Sequence, residues 1–333
     1  MPSDQMRVLL LGAGSLGRAF LRSLRDQEAP FSLVGVVTTH HGRILVPEGL
    51  PAGEALSHLE TDGLPNLGPT ELPEILEQTR PDALVECIPQ NIRSGDPALA
   101  YLRLALDRGL HVVTANKAPV ALGYKDLAER ARGKGLHFGF EATILDGLPV
   151  FRWVRSLGDR RIASVRGVLN QTSSLVLEAV ALGGSRARGL ARAQARGIAE
   201  ADSVLDLDGW DSAAKAALLA NVWFDASLRV VDVVRAGCED VKDAVIREAA
   251  AEGVQYRLVT TIERGSDGKV RASVDPQGLK PEDPLYAPRG SQGTIHVTLE
   301  DGLAFTLRQS SSGLDDAAHA LLMDLEAARA LAR

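Results

Sequence analysis

The stretch "RVLLLGAGSLG", residues 7–17, joins an apolar strand pattern to a glycine-rich turn and the start of a helix pattern. Gly12, Gly14 and Gly17 have the G-x-G-x-x-G spacing of dinucleotide-binding loops. Glycines allow such a loop to turn tightly and to approach a pyrophosphate, whose charge the following helix N-terminus stabilises. A plain tight turn could use the same glycines, so the loop alone is a hypothesis of nucleotide binding.

Strand and helix patterns alternate on the C-terminal side of this loop. The strand patterns are "FSLVGVVTT" (31–39), "PDALVECIP" (81–89), "HVVTAN" (111–116) and "LHFGFEATI" (136–144). Strands separated by helices of ordinary length predict a parallel, doubly wound sheet with helices on both faces. The fold class is therefore α/β, with a Rossmann-type nucleotide-binding sheet.

The pattern changes after Pro149. The stretch "ASVRGVLNQTSSLVLEAVALGG" (163–184) predicts a strand that enters a helix, and residues 187–222 read as helix, acidic loop and helix. Two hairpins are predicted around Ser266–Gly268 and Asp301–Gly302, and an amphipathic helix follows them. This second half indicates an inserted α+β region.

Composition excludes several classes of partner. The 333 residues carry 37 basic and 43 acidic side chains, a net charge of −6, which disfavours nucleic acids and anionic membranes as partners. The apolar runs are strand-sized, and two cysteines are too few for a disulfide framework or a zinc site. We expect a cytoplasmic protein that acts on a small molecule.

The segment after the second strand bears on the choice of cofactor. An NAD site usually places an acid there to bind the ribose hydroxyls, but no acid occurs between Glu28 and Glu48. Thr39 and Arg43 suit a 2′-phosphate, as do their neighbours Thr38, His40 and His41. NADP is the predicted cofactor; the alternative is a solvated loop with NAD bound.

The stretch "HVVTANKAPVAL" (111–122) resembles homoserine dehydrogenase. Further motifs agree in order, from Met6 to about Asn221: "VECIPQN" (85–91), "FEATILDGLPV" (140–150), "GVLNQTS" (167–173) and "GIAEADSVLDLDGWDSAAK" (197–215). The resemblance implies reversible NAD(P)-linked interconversion of L-homoserine and L-aspartate 4-semialdehyde, on the branch from aspartate toward threonine and methionine.

The resemblance also implies the domain organisation. Residues 1–145 would form the nucleotide-binding domain, to which residues 310–333 return, and residues 146–309 would form the catalytic and dimerisation domain. A mixed sheet in the second domain would pair two subunits as a homodimer. The chain ends after its last helix pattern, so we expect a short form without a regulatory domain.

The acid-rich loop would hold the substrate. By the family's pattern, Glu200 and Asp211 bind the α-ammonium of homoserine, with Asp206 and Thr172 nearby. Lys215 would be the proton donor in reduction and the base in the reverse direction. By spacing alone, Asp211 and Lys215 could form an ordinary i,i+4 ion pair. Calcium binding is a further alternative, although the loop lacks the D-x-D-x-D-G pattern with a later glutamate.

The family's pattern supplies the remaining site residues. Lys117 would lie between substrate and cofactor, and the other cofactor contacts would be Gly12, Ala13, Gly14, Ser15, Leu16, Gly17, Thr39, Arg43, Ile88, Pro89 and Gly313. A monovalent cation such as sodium would bind the Glu141 side chain and the carbonyls of Ile144, Asp146 and Leu148. The alternative is that Glu141 caps backbone amides.

Three departures from the family's pattern keep other functions open. Gln171 replaces the glycine of an N-G-T motif, Ile88 replaces a threonine, and the C-terminal glycine turn is reduced to "SSSGLDD" (310–316) with Gly313. Gln171 favours a dehydrogenase of another amino-acid semialdehyde or hydroxy acid. A third alternative is an NADP-sensing binding protein without turnover.

Overall fold

The chain divides into two compact units. The computed structural model describes residues 5–25, 30–61, 63–65, 68, 71–199, 203–286, 292–310 and 313–332. One unit comprises Met1–Arg152 with Gly313–Arg333, and the other comprises Trp153–Ser312. The chain passes between units slightly later than the predicted boundaries at 145 and 309. Among the described helices, none has both the length and the apolar character that a membrane span requires.

The first unit is built on a six-stranded sheet. Its strands are β1 (Met6–Leu11), β2 (Phe31–Val37), β3 (Arg43–Leu45), β4 (Ala83–Glu86), β5 (His111–Thr114) and β6 (Phe138–Gly139). Their order across the sheet is β3-β2-β1-β4-β5-β6. All neighbours are parallel except β2 and β3, which are antiparallel. The predicted doubly wound parallel sheet is therefore confirmed, with β3 as an added edge strand.

Helices cover both faces of this sheet. They are α1 (Ser15–Arg25), α2 (Ala52–Glu60), α3 (Leu72–Thr79), α4 (Ala98–Asp107), α5 (Lys117–Gly133) and, from the end of the chain, α12 (Leu314–Leu331). The short helix α6 (Val150–Arg155) contains the point at which the chain passes to the second unit. Side chains alternate along a strand, so Val8 and Leu10 of β1 join one core with α1, α2 and α12. Leu9 and Leu11 join the opposite core with α3, α4 and α5.

The second unit has a mixed sheet. Its strands are β7 (Ile162–Val168), β8 (Val234–Arg235), β9 (Gln255–Arg264), β10 (Val270–Leu279), β11 (Gly293–Leu299) and β12 (Ala304–Gln309). Their order is β12-β11-β7-β9-β10-β8, and only β8 and β10 are parallel neighbours. Both predicted hairpins are confirmed, as β9–β10 and β11–β12.

The described part of the second unit has five α-helices, and three of them contact its sheet. They are α7 (Gln171–Ala181), α8 (Arg186–Ala195), α9 (Val204–Leu207), α10 (Trp210–Trp223) and α11 (Asp243–Ala251). Helices α7, α10 and α11 pack on β9, and α10 also contacts β10. Leu175 and Leu177 of α7 and Leu218 of α10 are fully buried. The strand-to-helix junction between β7 and α7, and the α9–α10 segment, position the acid-rich loop.

One predicted strand is much shorter than expected. Of residues 136–144, only Phe138–Gly139 form a strand, and Glu141–Thr143 form a 3-10 turn. The Thr143 hydroxyl donates to the Phe140 carbonyl at 2.7 Å and closes this turn. Gly139 lies against Asp324 of α12, where an added Cβ would come within 2.6 Å of the aspartate Cβ. The local 3-10 turn and the contact with Asp324 therefore replace the rest of the strand that the pattern predicts.

The C-terminal helix α12 provides a test of the first unit's core. Leu321 is fully buried in the core shared with α1, whereas Leu331 of the same helix is 61% exposed. We expect Leu321→Ala to lower the free energy of unfolding by about 2–5 kcal/mol because it opens a cavity. The matched Leu331→Ala should change it by less than about 0.5 kcal/mol. Urea denaturation of both variants measures this, and equal effects would contradict the packing.

Candidate active site

The three glycines after β1 are required for different reasons. Gly12 has φ +93°, and an added Cβ would lie 2.5 Å from the carbonyl carbon of Cys87 at the end of β4. An added Cβ at Gly17 would overlap the carbonyl oxygen of Gly12. At Gly14, by contrast, an added Cβ would meet no atom within 4 Å. The chain's own packing requires Gly12 and Gly17, while the space above Gly14 is open to a ligand.

The loop beyond β2 holds the residues predicted to select the cofactor. The Thr38 hydroxyl accepts the His41 amide at 2.9 Å and donates to the Gly42 carbonyl at 2.8 Å, which closes the turn. Thr39 at its tip is exposed. His40 and His41 line a cavity of about 450 Å³ together with Gly42, Leu59, Thr61, Gly63 and Leu64. This surface is polar and contains no carboxylate among those residues.

Arg43 begins β3 and has a structural contact. Its Nε and Nη2 donate to the carbonyl of Gly68 at 3.0 and 2.7 Å. This bond directs part of the guanidinium at the protein backbone. Of the other predicted cofactor residues, Ala13 is buried, Leu16 and Ile88 are intermediate, and Ser15, Pro89 and Gly313 are exposed.

Glu86 is a site-proximal residue that the sequence reasoning missed. It ends β4 with no exposed surface and accepts hydrogen bonds from the Thr114 hydroxyl at 2.5 Å and the Ile88 amide at 2.8 Å. The Asn116 side-chain amide donates to it at 3.4 Å. Burial raises the pKa of Glu86, and these donors oppose that rise. Since Asn116 precedes Lys117 at the start of α5, Glu86 ties the ends of β4 and β5 beside Lys117.

In the second unit, three predicted residues gather around Asn170. The side-chain amide of Asn170 donates to Asp206 Oδ1 at 2.7 Å and to Asp211 Oδ2 at 3.2 Å. Lys215 Nζ lies 3.3 Å from Asp211 Oδ2 and donates to the Leu169 carbonyl at 2.6 Å. The side chains of Lys215 and Asp211 are 13% and 14% exposed. The i,i+4 pair exists, but it belongs to a largely buried network.

This network carries an excess of negative charge. Burial raises the pKa of Asp206, and the neighbouring carboxylate of Asp211 raises it further. Hydrogen bonds from Asn170 and Thr172 and the charge of Lys215 oppose the rise. Thr172 is buried. Two desolvated carboxylates beside one lysine can accept a second cation such as an α-ammonium, because charge-assisted hydrogen bonds are strong there.

Two further acids of the predicted loop, Glu200 and Asp202, lie outside the described residues. The loop is anchored by Trp210, since the guanidinium carbon of Arg235 lies 4.1 Å from its ring centroid. Arg235 Nη1 also donates to the carbonyl of Asp208. These contacts join the described part of the loop, around Asp208 and Trp210, to the segment around β8.

The predicted cation ligand Glu141 is buried and has backbone partners. Its carboxylate accepts the amides of Phe151 at 3.1 Å and Arg152 at 2.7 Å, at the start of α6. The Leu148 carbonyl accepts the Val150 amide at 2.8 Å. These contacts match the capping alternative for Glu141. Within the described ranges, no group of three or more His, Cys, Asp or Glu residues could hold a metal ion. The carbonyls of Ile144 and Asp146 lie in the same turn.

Comparison with known proteins agrees with both units. The family model described as homoserine dehydrogenase matches residues 149–325, and the one described as homoserine dehydrogenase, NAD binding domain, matches residues 12–141. The first match covers more than half of the chain.

Similar proteins extend over nearly all of the chain. The homoserine dehydrogenase of Sulfurisphaera tokodaii is 30% identical over 96% of this chain and 97% of its own length. The NAD(+)-dependent homoserine dehydrogenase of Pseudomonas canavaninivorans is 32% identical over 96% of this chain and 95% of its own length. A solved hyperthermophilic archaeal homoserine dehydrogenase in complex with NADPH has a TM-score of 0.81 at 25% identity, covering 97% of each chain. The chain therefore belongs to the homoserine dehydrogenase family and is an NAD(P)-dependent oxidoreductase.

Proposed function

We propose that Lys215 is the proton donor when L-aspartate 4-semialdehyde is reduced and the proton acceptor when L-homoserine is oxidised. The network of Asn170, Asp206, Asp211 and Lys215 carries this proposal, because it combines a fixed ammonium with desolvated acids. Lysine has three N–H donors. Among the described residues, Leu169 and Asp211 offer acceptors to Nζ, so a third N–H can serve the substrate oxygen.

Asp206 and Asp211 are the proposed ligands of the substrate's α-ammonium, with Glu200 as a third acid outside the described residues. Thr172 supports Asp206 through its hydroxyl. Because burial raises the pKa of Asp206, this acid takes up a proton at a higher pH than an ordinary aspartate. Substrate affinity should therefore fall as pH decreases through the acidic range.

NADP is the proposed cofactor, and it supplies or accepts the hydride when bound. The loop of Gly12, Ala13, Gly14, Ser15, Leu16 and Gly17 would hold its pyrophosphate, since the space above Gly14 is open and α1 begins at Ser15. No acid follows β2 before Glu48, which favours a 2′-phosphate over bare ribose hydroxyls. The solved relative with NADPH supports this choice, while the relative named NAD(+)-dependent keeps NAD as the alternative.

Lys117 is the proposed second catalytic lysine. It is the first residue of α5, directly after Asn116, whose side chain contacts Glu86. Ile88, another proposed cofactor contact, is held through its amide rather than through the hydroxyl that a threonine would supply. The homodimer, the monovalent cation and the cytoplasmic location stay predictions of the sequence.

The backbone at Gln171 does not require the glycine of the family's motif. Gln171 is the first residue of α7, and Arg80 and Asp225 are the only described non-glycine residues with positive φ. A side chain at position 171 therefore imposes no backbone strain. Homoserine remains the substrate that the acids and Lys215 fit best.

Removing the Lys215 ammonium tests the proposed proton donor. We expect Lys215→Met to lower kcat for reduction of L-aspartate 4-semialdehyde by about 10²–10⁴-fold, because general acid catalysis is lost. Lys269→Met, at the exposed β9–β10 turn, is the matched control and should keep wild-type rates. The rate is followed as loss of reduced-nicotinamide absorbance. A kcat for Lys215→Met within threefold of the wild-type value would contradict the assignment of Lys215 as the proton donor.

Two glycine variants separate cofactor binding from folding. Gly14→Ala should leave the free energy of unfolding within about 0.5 kcal/mol, because its Cβ meets no protein atom. Its Kd for NADPH should rise at least about tenfold, since the methyl occupies the approach of the pyrophosphate. Gly17→Ala should lower the free energy of unfolding by roughly 1–3 kcal/mol, because its Cβ would overlap the carbonyl oxygen of Gly12. Isothermal titration and urea denaturation measure both, and unchanged NADPH affinity in Gly14→Ala would contradict the proposed loop contact.

An acid introduced after β2 tests the cofactor preference. Wild type should use NADPH better than NADH. Thr39→Asp should lower kcat/KM for NADPH by about 10–100-fold, because a carboxylate repels a 2′-phosphate and instead binds ribose hydroxyls. The value for NADH should change by less than about threefold or improve. Ser266→Asp, at an exposed turn, controls for added charge. Parallel loss with both cofactors would argue against a role of Thr39 in discrimination.

A further inference from the structure

Asn170 has a polar partner at each side-chain atom that can bond. Its Oδ1 accepts the Ser173 amide at 2.8 Å and so caps α7, while its Nδ2 donates to Asp206 and Asp211. Its backbone carbonyl accepts the hydroxyls of Ser173 at 3.0 Å and Ser174 at 2.9 Å. The residue is 5% exposed. It is therefore fixed to α7 and bonded to the acidic loop at once.

The helix cap also decides which way the amide points. If the amide were reversed, its NH₂ group would face the Ser173 N–H, and its oxygen would face two carboxylates. Both contacts would then be repulsive, so only the observed orientation satisfies the local donors and acceptors. The cap on α7 thus directs two N–H donors at Asp206 and Asp211.

Two carboxylates this close repel each other in a desolvated site. An amide NH₂ offers one N–H to each of them, and it holds them near one point without neutralising either charge. The adjacent Leu169 carbonyl holds Lys215. Leu169 and Asn170, directly after β7, therefore fix the positions of both the proposed ammonium-binding acids and the proposed proton donor.

We propose that Asn170 is a positioning residue for the homoserine reaction, which holds Asp206 and Asp211 at the spacing that captures the substrate's α-ammonium. This inference rests on the proposed roles of those acids. Asn170 acts through Asp206 and Asp211 and does not itself take part in the proton transfer. Its loss should therefore be expressed in substrate affinity more than in turnover.

Other titratable groups near the acid pair are few among the described residues. Lys215 lies on α10, Asp208 follows α9, and the Cys238 thiol lies within electrostatic range of Asp206. Burial raises the pKa of Cys238 to about 12, so the thiol is neutral in the working pH range. Changes in the acid limb of a pH profile can therefore be assigned to the carboxylates.

Two substitutions separate the positioning role from the helix cap. Asn170→Ser keeps an oxygen that can cap α7 but is too short to reach the acids. Asn170→Asp keeps the cap and the size but replaces the donor with a third carboxylate. Ser185→Ala is the matched control, since Ser185 caps the neighbouring α8 through the Arg188 amide at 3.2 Å and has no part in the network.

In Asn170→Ser we expect KM for L-homoserine to rise about 10–100-fold, while kcat changes by less than about threefold and the Kd for NADPH is unchanged. Its Tm should fall no further than that of Ser185→Ala. In Asn170→Asp the acid limb of kcat/KM against pH should move upward by about one unit or more, because the added carboxylate raises the pKa of the acid cluster.

Two results would overturn the inference. One is a KM for L-homoserine within twofold of wild type in Asn170→Ser together with an unmoved acid limb in Asn170→Asp. The other is a loss of activity in the Asn170 variants that is fully explained by a smaller folded fraction. In that case Asn170 would act only as a helix cap. These results are distinguishable from a failure of the proposed function. If Lys215 were not the proton donor, Lys215→Met would keep wild-type rates, whatever the Asn170 variants do.

Discussion

Two carboxylates bonded to one buried amide form the constraint on which the chemistry proposed for the second unit depends. Asp206 and Asp211 can lie close to each other because Asn170 donates a hydrogen bond to each of them and Lys215 forms an ion pair with Asp211. The β7–α7 junction supplies the amide, and α9 with α10 supplies the acids. Packing of α7 and α10 on the sheet holds the two elements in place. Negative charge that is costly to bury is thereby kept where the proposed function needs it, at the site for the substrate's ammonium.

The first unit follows the general rule that ligands of parallel α/β sheets bind at the carboxyl ends of the strands. The glycine loop follows β1, the loop proposed to select the cofactor follows β2, and Glu86 closes β4. Glu86 links the ends of β4 and β5 through Thr114 and Asn116. A buried acid at this edge is tolerated because it has several donors, which reduce the cost of its desolvation.

The sequence predicts the regular parts of this fold well. Alternating strand and helix patterns predict the parallel sheet, and glycine turns predict both hairpins. The acids and Lys215 are singled out by a charge density that is unusual for a segment that enters a buried helix, and their predicted roles come from the family resemblance. Asn170 and Glu86 are missed because their importance lies in partners far along the chain: Asp206 is 36 residues from Asn170, and Thr114 is 28 residues from Glu86. Local periodicity does not report such contacts.

Asn116 and Asn170 occupy equivalent places in the two units, and their differences show what a residue type alone leaves undecided. Each follows a strand, precedes a helix and donates hydrogen bonds from its side-chain amide to an acid, which is buried Glu86 for Asn116 and half-buried Asp206 for Asn170. The Asn170 oxygen caps its own helix, whereas the Asn116 oxygen accepts no hydrogen bond from the described residues. The cap fixes the orientation of Asn170 and gives two short bonds to acids, while Asn116 contacts Glu86 at 3.4 Å. An asparagine side chain is therefore a rigid positioning group at the β7–α7 junction and a weaker contact at the β5–α5 junction. The reason is that Asn170 has hydrogen-bond partners at both its oxygen and its nitrogen, whereas Asn116 has described partners at its nitrogen alone.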